Sequence, residues 1–282
     1  MPPKRKRSKP NKTARLLFIL LLVVAGVLLF IEESGREKHT QNFFDVFRHN
    51  KIPEITVPEI HHPSAELPKV AIVMDDLGPN KKLAARVLSL QNSITLSILP
   101  LQTYSKWIAE EGQRLGRDII VHIPMEAERH LRLGEGGVYR WMDDHQIAQT
   151  VEDDIRSIPF AKGASNHMGS SFSKDARGME VVMQVLKRHG FFFLDSLTTP
   201  ETVGFSLAKA DGLVTLERDV FLDNTEDVQD MEIQWKRLVH IAQKEGKAII
   251  LAHPKISSIE FLRKKLDANK DFAVVPLSEL IP

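Results

Sequence analysis

Two adjacent carboxylates and three separated histidines are the residues of this chain whose types and spacing could do chemistry. Asp75 and Asp76 follow a continuous apolar run, and His122, His167 and His253 lie within or shortly after other runs of the same kind. Carboxylate and imidazole groups bind divalent metals and transfer protons, so a pocket that collected all five could activate water. Four further polar residues lie at the ends of such runs: Glu126, Asn166, Asp195 and Asp223.

Each of these residues also has an ordinary structural interpretation. An Asp at the end of a strand commonly caps the following turn or helix. A histidine such as His122, between Val121 and Ile123, is often a hydrogen-bonded core residue. Neighbouring side chains in an extended chain point apart, so Asp75 and Asp76 could serve different roles, one on a metal and one on a proton. The repetition of polar residues at the ends of separate apolar runs favours a functional site.

From Lys69 onward, short apolar runs alternate with patterns typical of amphipathic helices. The runs predict strands over 70–74, 94–99, 119–123, 161–164, 191–194, 213–216 with 220–222, 248–251 and 272–275. Helices are expected over 81–90, 104–115, 145–157, 176–189, 203–210, 228–245 and 258–266. This alternation is typical of βαβ units in a parallel sheet, and seven or eight units fit a barrel better than an open sheet. The C-terminal ends of barrel strands meet at one face, where the carboxylates and histidines would lie together.

The composition limits what else the chain could be. Its 282 residues, 43% apolar and 27% charged, suffice for one sizeable core. The absence of cysteine excludes disulfides, thiolate zinc sites and cysteine nucleophiles, so any metal must be held by histidine and carboxylate ligands. No Gly-x-Gly-x-x-Gly or Walker-type loop follows the first predicted strand, so a nucleotide-binding interpretation has no support.

The N-terminal region has the pattern of a membrane anchor. Seven lysines and arginines crowd residues 1–15, and residues 16–31 contain no polar side chain. A helix over that run spans about 24 Å, slightly less than a hydrocarbon layer of about 30 Å. The pattern favours an uncleaved anchor over a nucleic-acid-binding tail, with a cleaved signal peptide or a buried soluble helix as the alternatives. Because Lys and Arg stay cytoplasmic, we expect a single-pass protein of a bacterial inner membrane, with a linker over 32–68 and a domain over 69–282 in the periplasm.

Six segments of the chain resemble the divergent polysaccharide deacetylases, and the resemblance runs from about Lys69 to the C-terminus. The segments are 75–78 (DDLG), 122–126 (HIPME), 163–170 (GASNHMGS), 192–196 (FFLDS), 218–224 (RDVFLDN) and 252–254 (AHP). That family is similar to the NodB-like carbohydrate esterases. The resemblance therefore implies a distorted (β/α)7 barrel that uses a divalent metal, usually zinc, to remove N- or O-acetyl groups from carbohydrate.

The resemblance also implies a role for each candidate residue. Asp75 would be the general base and His253 the general acid. Asp76, His122 and His167 would bind the metal. The remaining four residues would support these groups or contact the substrate: Glu126, Asn166, Asp195 and Asp223.

One departure from better-known relatives bears on the metal site. They carry a His-x-x-x-His pair on one segment, whereas no two histidines of this chain are four residues apart, so the two metal ligands must come from different strands. Glu126 shares the face of His122 if the strand continues, and could hold that ring in one tautomer. The prediction is a membrane-anchored deacetylase acting on an acetylated envelope carbohydrate. The alternatives are a non-catalytic glycan- or peptidoglycan-binding protein on the same barrel, and an envelope scaffold.

Overall fold

The computed structural model describes residues 66–90, 93–129 and 131–281. The strands are β1 (Lys69–Leu77), β2 (Thr95–Ile98), β3 (Ile119–Met125), β4 (Gly163–Met168), β5 (Phe192–Asp195), β6 (Thr215–Glu217), β7 (Val220–Phe221), β8 (Lys247–Ala252) and β9 (Ala273–Val274). The helices are α1 (Lys81–Leu88), α2 (Ser105–Arg114), α3 (Asp144–Ser157), α4 (Ala176–Arg188), α5 (Gly204–Ala210), α6 (Val228–Glu245) and α7 (Ile256–Ala268). Short 3₁₀ segments lie over Phe172–Lys174 and Leu277–Leu280.

The strands form one sheet in which every pairing is parallel. Their order is β6-β5-β4-β3-β2-β1-β8-β7, and β9 pairs with the start of β1. The two edge strands, β6 and β7, are separated in the chain only by Arg218 and Asp219. The Arg218 amide donates to the Asp195 carbonyl of β5, and the Asp219 amide donates to the Ile249 carbonyl of β8. One segment of chain therefore connects both edges, and the sheet curls into a half-barrel.

The structure confirms the predicted α/β architecture with a parallel, curled sheet. The predicted sixth strand is divided into β6 and β7, because the chain changes its partner strand between them. Strand β4 extends to Met168, beyond the predicted end at Ala164, so His167 lies within a strand. The predicted basic tail, anchor and most of the linker, over 1–15, 16–31 and 32–68, lie outside the described residues. In the part of the chain that the structure describes, no helix combines the length and apolarity needed to cross a membrane.

Local sequence signals explain where the helices begin and end. The Asn80 side chain accepts two backbone amide hydrogen bonds at the start of α1, and Asp143 with Gln146 forms a capping box at the start of α3. Helix α6 ends at Gly246, whose φ of 76° is a left-handed conformation that glycine adopts readily. Asn80 follows Asp76 by four residues, so the cap of α1 anchors the chain just beyond that carboxylate, whereas Asp143 ends the long loop that follows β3.

The two faces of the sheet are covered by different apolar clusters. The larger cluster lies between the sheet and the helices. The smaller one contains inner-face residues such as Val73, Ile120 and Leu251, together with Leu277 and Leu280 of the C-terminal segment. The C-terminal 3₁₀ segment thus covers the inner face, and none of the helices in the described part of the chain contributes a residue to this cluster.

The inner face changes from apolar to polar toward the C-terminal ends of the strands. Side chains alternate along a strand, so residues two positions apart lie on the same face. This face carries three polar side chains, each two positions beyond a residue of the smaller cluster. They are Asp75 on β1, His122 on β3 and His253 directly after β8. The apolar layer therefore forms a floor beneath the candidate chemical groups.

A further buried carboxyl group lies away from this floor. Asp154 on α3 is fully buried, and neither of its side-chain oxygens has a hydrogen-bond partner. Burial, together with the nearby Asp153 carboxylate, raises the pKa of Asp154 from its ordinary 3.8 to about 9. Because the folded-state pKa is the higher one, folding favours the protonated form. The contribution of Asp154 to the free energy of unfolding is therefore fully present below its ordinary pKa of 3.8 and is lost as the pH rises towards about 9.

We expect Asp154→Asn to stabilise the protein at pH 7 by about 2–4 kcal/mol and to change stability little near pH 4. The amide has the shape of the carboxyl group and needs no proton to remain neutral. Urea denaturation of both proteins between these pH values measures the difference, with Asp267→Asn at an exposed position of α7 as the control. A difference in unfolding free energy that stays constant with pH would contradict the raised pKa.

Candidate metal centre and active site

The end of β1 departs from regular strand geometry at the two adjacent carboxylates. The pairing of β1 with β2 shifts register between Met74 and Leu77, and Asp76 has a left-handed φ of 56°. Such a conformation costs a residue other than glycine about 1 kcal/mol or more and occurs disproportionately at functional sites. Both carboxylates approach His122: Asp75 Oδ1 lies 3.7 Å from Nδ1 and Asp76 Oδ1 lies 3.2 Å from Nε2. The prediction that the two side chains point apart is wrong, because the chain is not extended at Asp76.

Asp76, His122 and His167 bring three potential ligand atoms within 4.8 Å of one another. The rings of His122 on β3 and His167 on β4 meet edge to face, with centroids 5.1 Å apart. His167 Nδ1 lies 2.7 Å from Asp76 Oδ1, yet neither histidine contact has hydrogen-bond geometry, and this buried oxygen lacks a hydrogen-bond partner. Atoms that converge without bonding to one another fit a shared divalent ion. Two imidazoles and one carboxylate are a donor set that suits zinc.

The neighbouring carboxyl groups have pKa values shifted in opposite directions. Burial raises the pKa of Asp76, but the adjacent His122 and His167 more than offset this effect and hold the pKa well below its usual range. Asp76 is therefore ionised at neutral pH, as a metal ligand must be. Asp75 is almost fully buried, and this burial raises its pKa despite the opposing effects of His122 and Ser97. Two carboxyl groups in such different environments are suited to different chemical roles.

His253 is oriented by Asp223, which follows β7. His253 Nδ1 lies 2.8 Å from Asp223 Oδ1, and the His253 amide and the Ser258 hydroxyl donate to Asp223 Oδ2 at 2.9 and 2.5 Å. The ring stacks on Phe221 at 5.9 Å, and its Nε2 lies 3.9 Å from Asp76 Oδ2. Burial lowers the pKa of His253, but the Asp223 carboxylate more than reverses this and raises it to about 8. The imidazole is therefore protonated at neutral pH, with Nε2 directed into the site.

A cavity of about 280 Å³ is lined by all five residues predicted to bind metal or transfer protons. Asp76 and His253 also line an adjoining pocket of about 440 Å³, which includes Asp223 and Lys255. The reacting groups therefore face space that continues beyond the buried carboxylates. These volumes are in the range of sites that bind small ligands.

Two of the predicted supporting residues stabilise loops around the cavity. Asn166 lines the cavity, and its amide oxygen accepts the Ser196 backbone N–H at 2.8 Å, which links β4 to the loop after β5. Asp195 lies outside the cavity lining. Its carboxylate accepts hydrogen bonds from the Thr202 hydroxyl and from the Leu197 and Phe205 amides. The structure therefore shows Asp195 supporting the β5–α5 loop, and its predicted contact with substrate stays a prediction.

Glu126 does not orient His122, in contrast to the prediction. Its Oε2 accepts the Arg140 amide at 2.8 Å and so braces the long loop between β3 and α3. His122 Nδ1 instead contacts Ser165 Oγ at 2.8 Å, because Ser165 lies opposite His122 in the register of β3 and β4. Sequence reasoning missed Ser165. Its position two residues before His167, on the same strand face, is a signal that acquires meaning only when the pairing is known.

The sequence model of the family described as divergent polysaccharide deacetylase matches residues 72–281. This chain belongs to that family. An uncharacterized protein of Haemophilus influenzae is 32% identical over 213 residues, which cover 75% of this chain and 76% of the relative. The uncharacterized protein YibQ of Escherichia coli K12 is 28% identical over 214 residues, or 76% of this chain and 67% of the relative. The crystal structure of an uncharacterized protein from Agrobacterium tumefaciens C58 has the same fold, with a TM-score of 0.73 and 22% identity over 77% of this chain and 91% of that one.

The region that matches the divergent polysaccharide deacetylases contains all nine residues predicted to form or support the site. In this member of the family the two histidines of the candidate metal centre come from adjacent strands. Strand β3 pairs with β4 so that His122 is opposite Ser165 and Pro124 is opposite His167. The diagonal offset of two residues lets both imidazoles reach the same Asp76 oxygen from neighbouring strands.

Proposed function

We propose that the protein is a metal-dependent hydrolase that removes acetyl groups from an N- or O-acetylated envelope carbohydrate. The observation that carries this proposal is the convergence of Asp76, His122 and His167 beside a His253–Asp223 pair and the buried Asp75. Membership of the divergent polysaccharide deacetylases supports acetylated carbohydrate as the substrate class. A scaffold would have no need of these five groups, which favours an enzyme over that alternative.

Asp76, His122 and His167 would hold the ion, most simply zinc. When bound, such an ion polarises an acyl carbonyl and lowers the pKa of water towards about 7. Asp75 accepts the proton of the attacking water, and the apolar residues beneath it limit access of other water. A cation held by the three ligands favours the carboxylate form of Asp75, against the effect of burial.

His253 supplies the second proton transfer. Its Nε2 faces Asp76 across 3.9 Å, so a proton there points toward the site of reaction. The Asp223 carboxylate accepts a hydrogen bond from Nδ1–H and favours the imidazolium form of His253. The imidazolium donates its Nε2 proton to the leaving amine or hydroxyl of the sugar, which completes hydrolysis.

Metal content and acetate release test the proposal directly. The purified full chain, loaded with Zn²⁺ and freed of excess ion, is incubated with a panel of N- and O-acetylated oligosaccharides, and free acetate is measured. We expect about one bound ion per chain and acetate release from at least one class of sugar, both lost on chelation. Metal binding without acetate release across the panel, combined with saturable binding of a glycan, would favour the non-catalytic alternative.

We also propose that residues 16–31 anchor the protein in a bacterial inner membrane, with the domain over 69–282 in the periplasm. The basic flank over 1–15 and the uninterrupted apolar run support this orientation. A reporter that is active only after export should be active when fused after Pro282. Activity of a cytoplasm-only reporter at the same position would contradict the proposal, and a loss of about 3 kDa on maturation would indicate a cleaved signal peptide.

A further inference from the structure

A buried row of three polar side chains begins at His122 of the candidate metal centre. His122 Nδ1 contacts Ser165 Oγ at 2.8 Å, and Ser165 Oγ contacts Ser97 Oγ at 3.0 Å. All three residues are at most 2% exposed. The row crosses three adjacent strands, because Ser97 and Ser165 lie on β2 and β4, on either side of β3.

We propose that Ser165 and Ser97 are positioning residues that hold His122 in the tautomer with its proton on Nδ1. The proposal deepens the proposed function, since it rests on His122 Nε2 being a metal ligand. The tautomer itself is a property of the metal-free chain. It can therefore be tested without activity.

Counting donors and acceptors determines the direction of the row. The metal-binding role of Nε2 requires the proton of the neutral His122 ring on Nδ1, and Ser165 Oγ at 2.8 Å is in position to accept it. The Ser165 hydroxyl then donates its own proton to Ser97 Oγ at 3.0 Å. A neutral imidazole with its proton on Nδ1 has a free lone pair on Nε2, which is what a metal requires.

The contact on the other side of the ring agrees with this assignment. His122 Nε2 lies 3.2 Å from Asp76 Oδ1 but does not have the geometry of a donor to it. A proton on Nε2 would be expected to turn toward that carboxylate, since a buried charged acceptor gains a strong hydrogen bond from it. The lack of donor geometry at Nε2 therefore agrees with a lone pair on this nitrogen and a proton on Nδ1.

Removing the Ser165 hydroxyl should reverse the tautomer. In Ser165→Ala, Nδ1–H would have no acceptor, and leaving it unpaired costs about 1–3 kcal/mol, whereas Nε2–H could donate to Asp76. In Ser97→Ala, Ser165 loses its own acceptor and can donate to His122 Nδ1, so a mixture of tautomers is expected. Ser165→Thr retains a hydroxyl and should restore the wild-type state.

The test is nitrogen NMR of the metal-free full chain labelled with ¹⁵N in its histidine rings, at pH 8. Long-range nitrogen–proton correlations distinguish Nδ1–H from Nε2–H, and the His122 signals are identified by their loss in His122→Asn. The matched control is Ser105→Ala, which removes another buried hydroxyl, one that donates to the Leu99 carbonyl at 2.6 Å. Nδ1–H in the wild type and control, with Nε2–H gained in Ser165→Ala, is the expected result. An Nε2–H tautomer in the wild type, or an unchanged tautomer in Ser165→Ala, would overturn the proposal.

Zn²⁺ titration gives a second reading on the same variants. Loss of a group that orients a metal-binding histidine typically costs about 10–100-fold in affinity. We expect that loss in Ser165→Ala, a smaller one in Ser97→Ala, and none in Ser105→Ala or Ser165→Thr. Equal Zn²⁺ affinity in all variants would overturn the link to the metal. A wild-type chain that shows the expected tautomers and affinities but releases no acetate would leave the positioning role standing and reject the deacetylase function.

Discussion

Asp75→Asn and His253→Ala are each expected to lower acetate release by about 10²–10⁴-fold while Zn²⁺ binding is retained. Asp75 lies 3.7 Å from His122 Nδ1 but is not one of the three convergent ligands, so its removal takes away a proton acceptor without opening the metal centre. His253 approaches the same centre from β8, and its loss removes the proton donor. Steady-state rates on the best acetylated oligosaccharide, with Zn²⁺ content measured on the same samples, give both quantities.

Two variants serve as matched controls for these substitutions. Asp154→Asn replaces another fully buried carboxyl group, away from the cavity, and His189→Ala removes a histidine that pairs with Glu152 at 2.7 Å on the helical surface. Both should release acetate at the wild-type rate. If Asp75→Asn and His253→Ala were as active as these controls, the two proton-transfer roles would be wrong while the hydrolase class would stand.

Replacing any one of Asp76, His122 and His167 by Ala should abolish stable Zn²⁺ binding, and with it acetate release. Three ligands from separate strands leave only two when one is removed, and a divalent ion held by two protein groups exchanges readily with solvent. In a metal-soaked crystal of the wild type, the three ligand atoms should lie about 2.0–2.2 Å from one ion. Metal analysis after dialysis measures occupancy in each variant.

Thermal unfolding gives an independent check on the same three residues. An ion that binds only the folded chain stabilises it by about 2.7 kcal/mol at a concentration 100 times its dissociation constant. Zn²⁺ should therefore raise the Tm of the wild type and of Asp75→Asn, but not that of the three ligand variants. A Zn²⁺-dependent rise that survives in Asp76→Ala, which replaces the most exposed of the three ligands, would place the ion elsewhere.

The sequence alone was sufficient to predict the parallel α/β sheet and the residues that the cavity brings together. Strands buried on both faces need uninterrupted apolar residues, so runs such as 70–74 and 248–251 are visible without a structure. The C-terminal ends of parallel strands meet at one edge, so polar residues that follow these runs lie along that edge. Asp75 and His253, separated by most of the domain in sequence, line one cavity for this reason.

The contacts of individual side chains were decided only by the tertiary structure. Alternation along a strand shows which face of the sheet a residue occupies. The same alternation results whichever strand is the neighbour, so nothing in the sequence pairs Ser165 with His122 or Asp223 with His253. Asp195 and Asp223 both follow apolar runs, yet one supports a loop and the other orients an imidazole, because different groups pack against each. The left-handed turn at Asp76 likewise depends on the shift in register between β1 and β2, which only the packing of the complete sheet imposes.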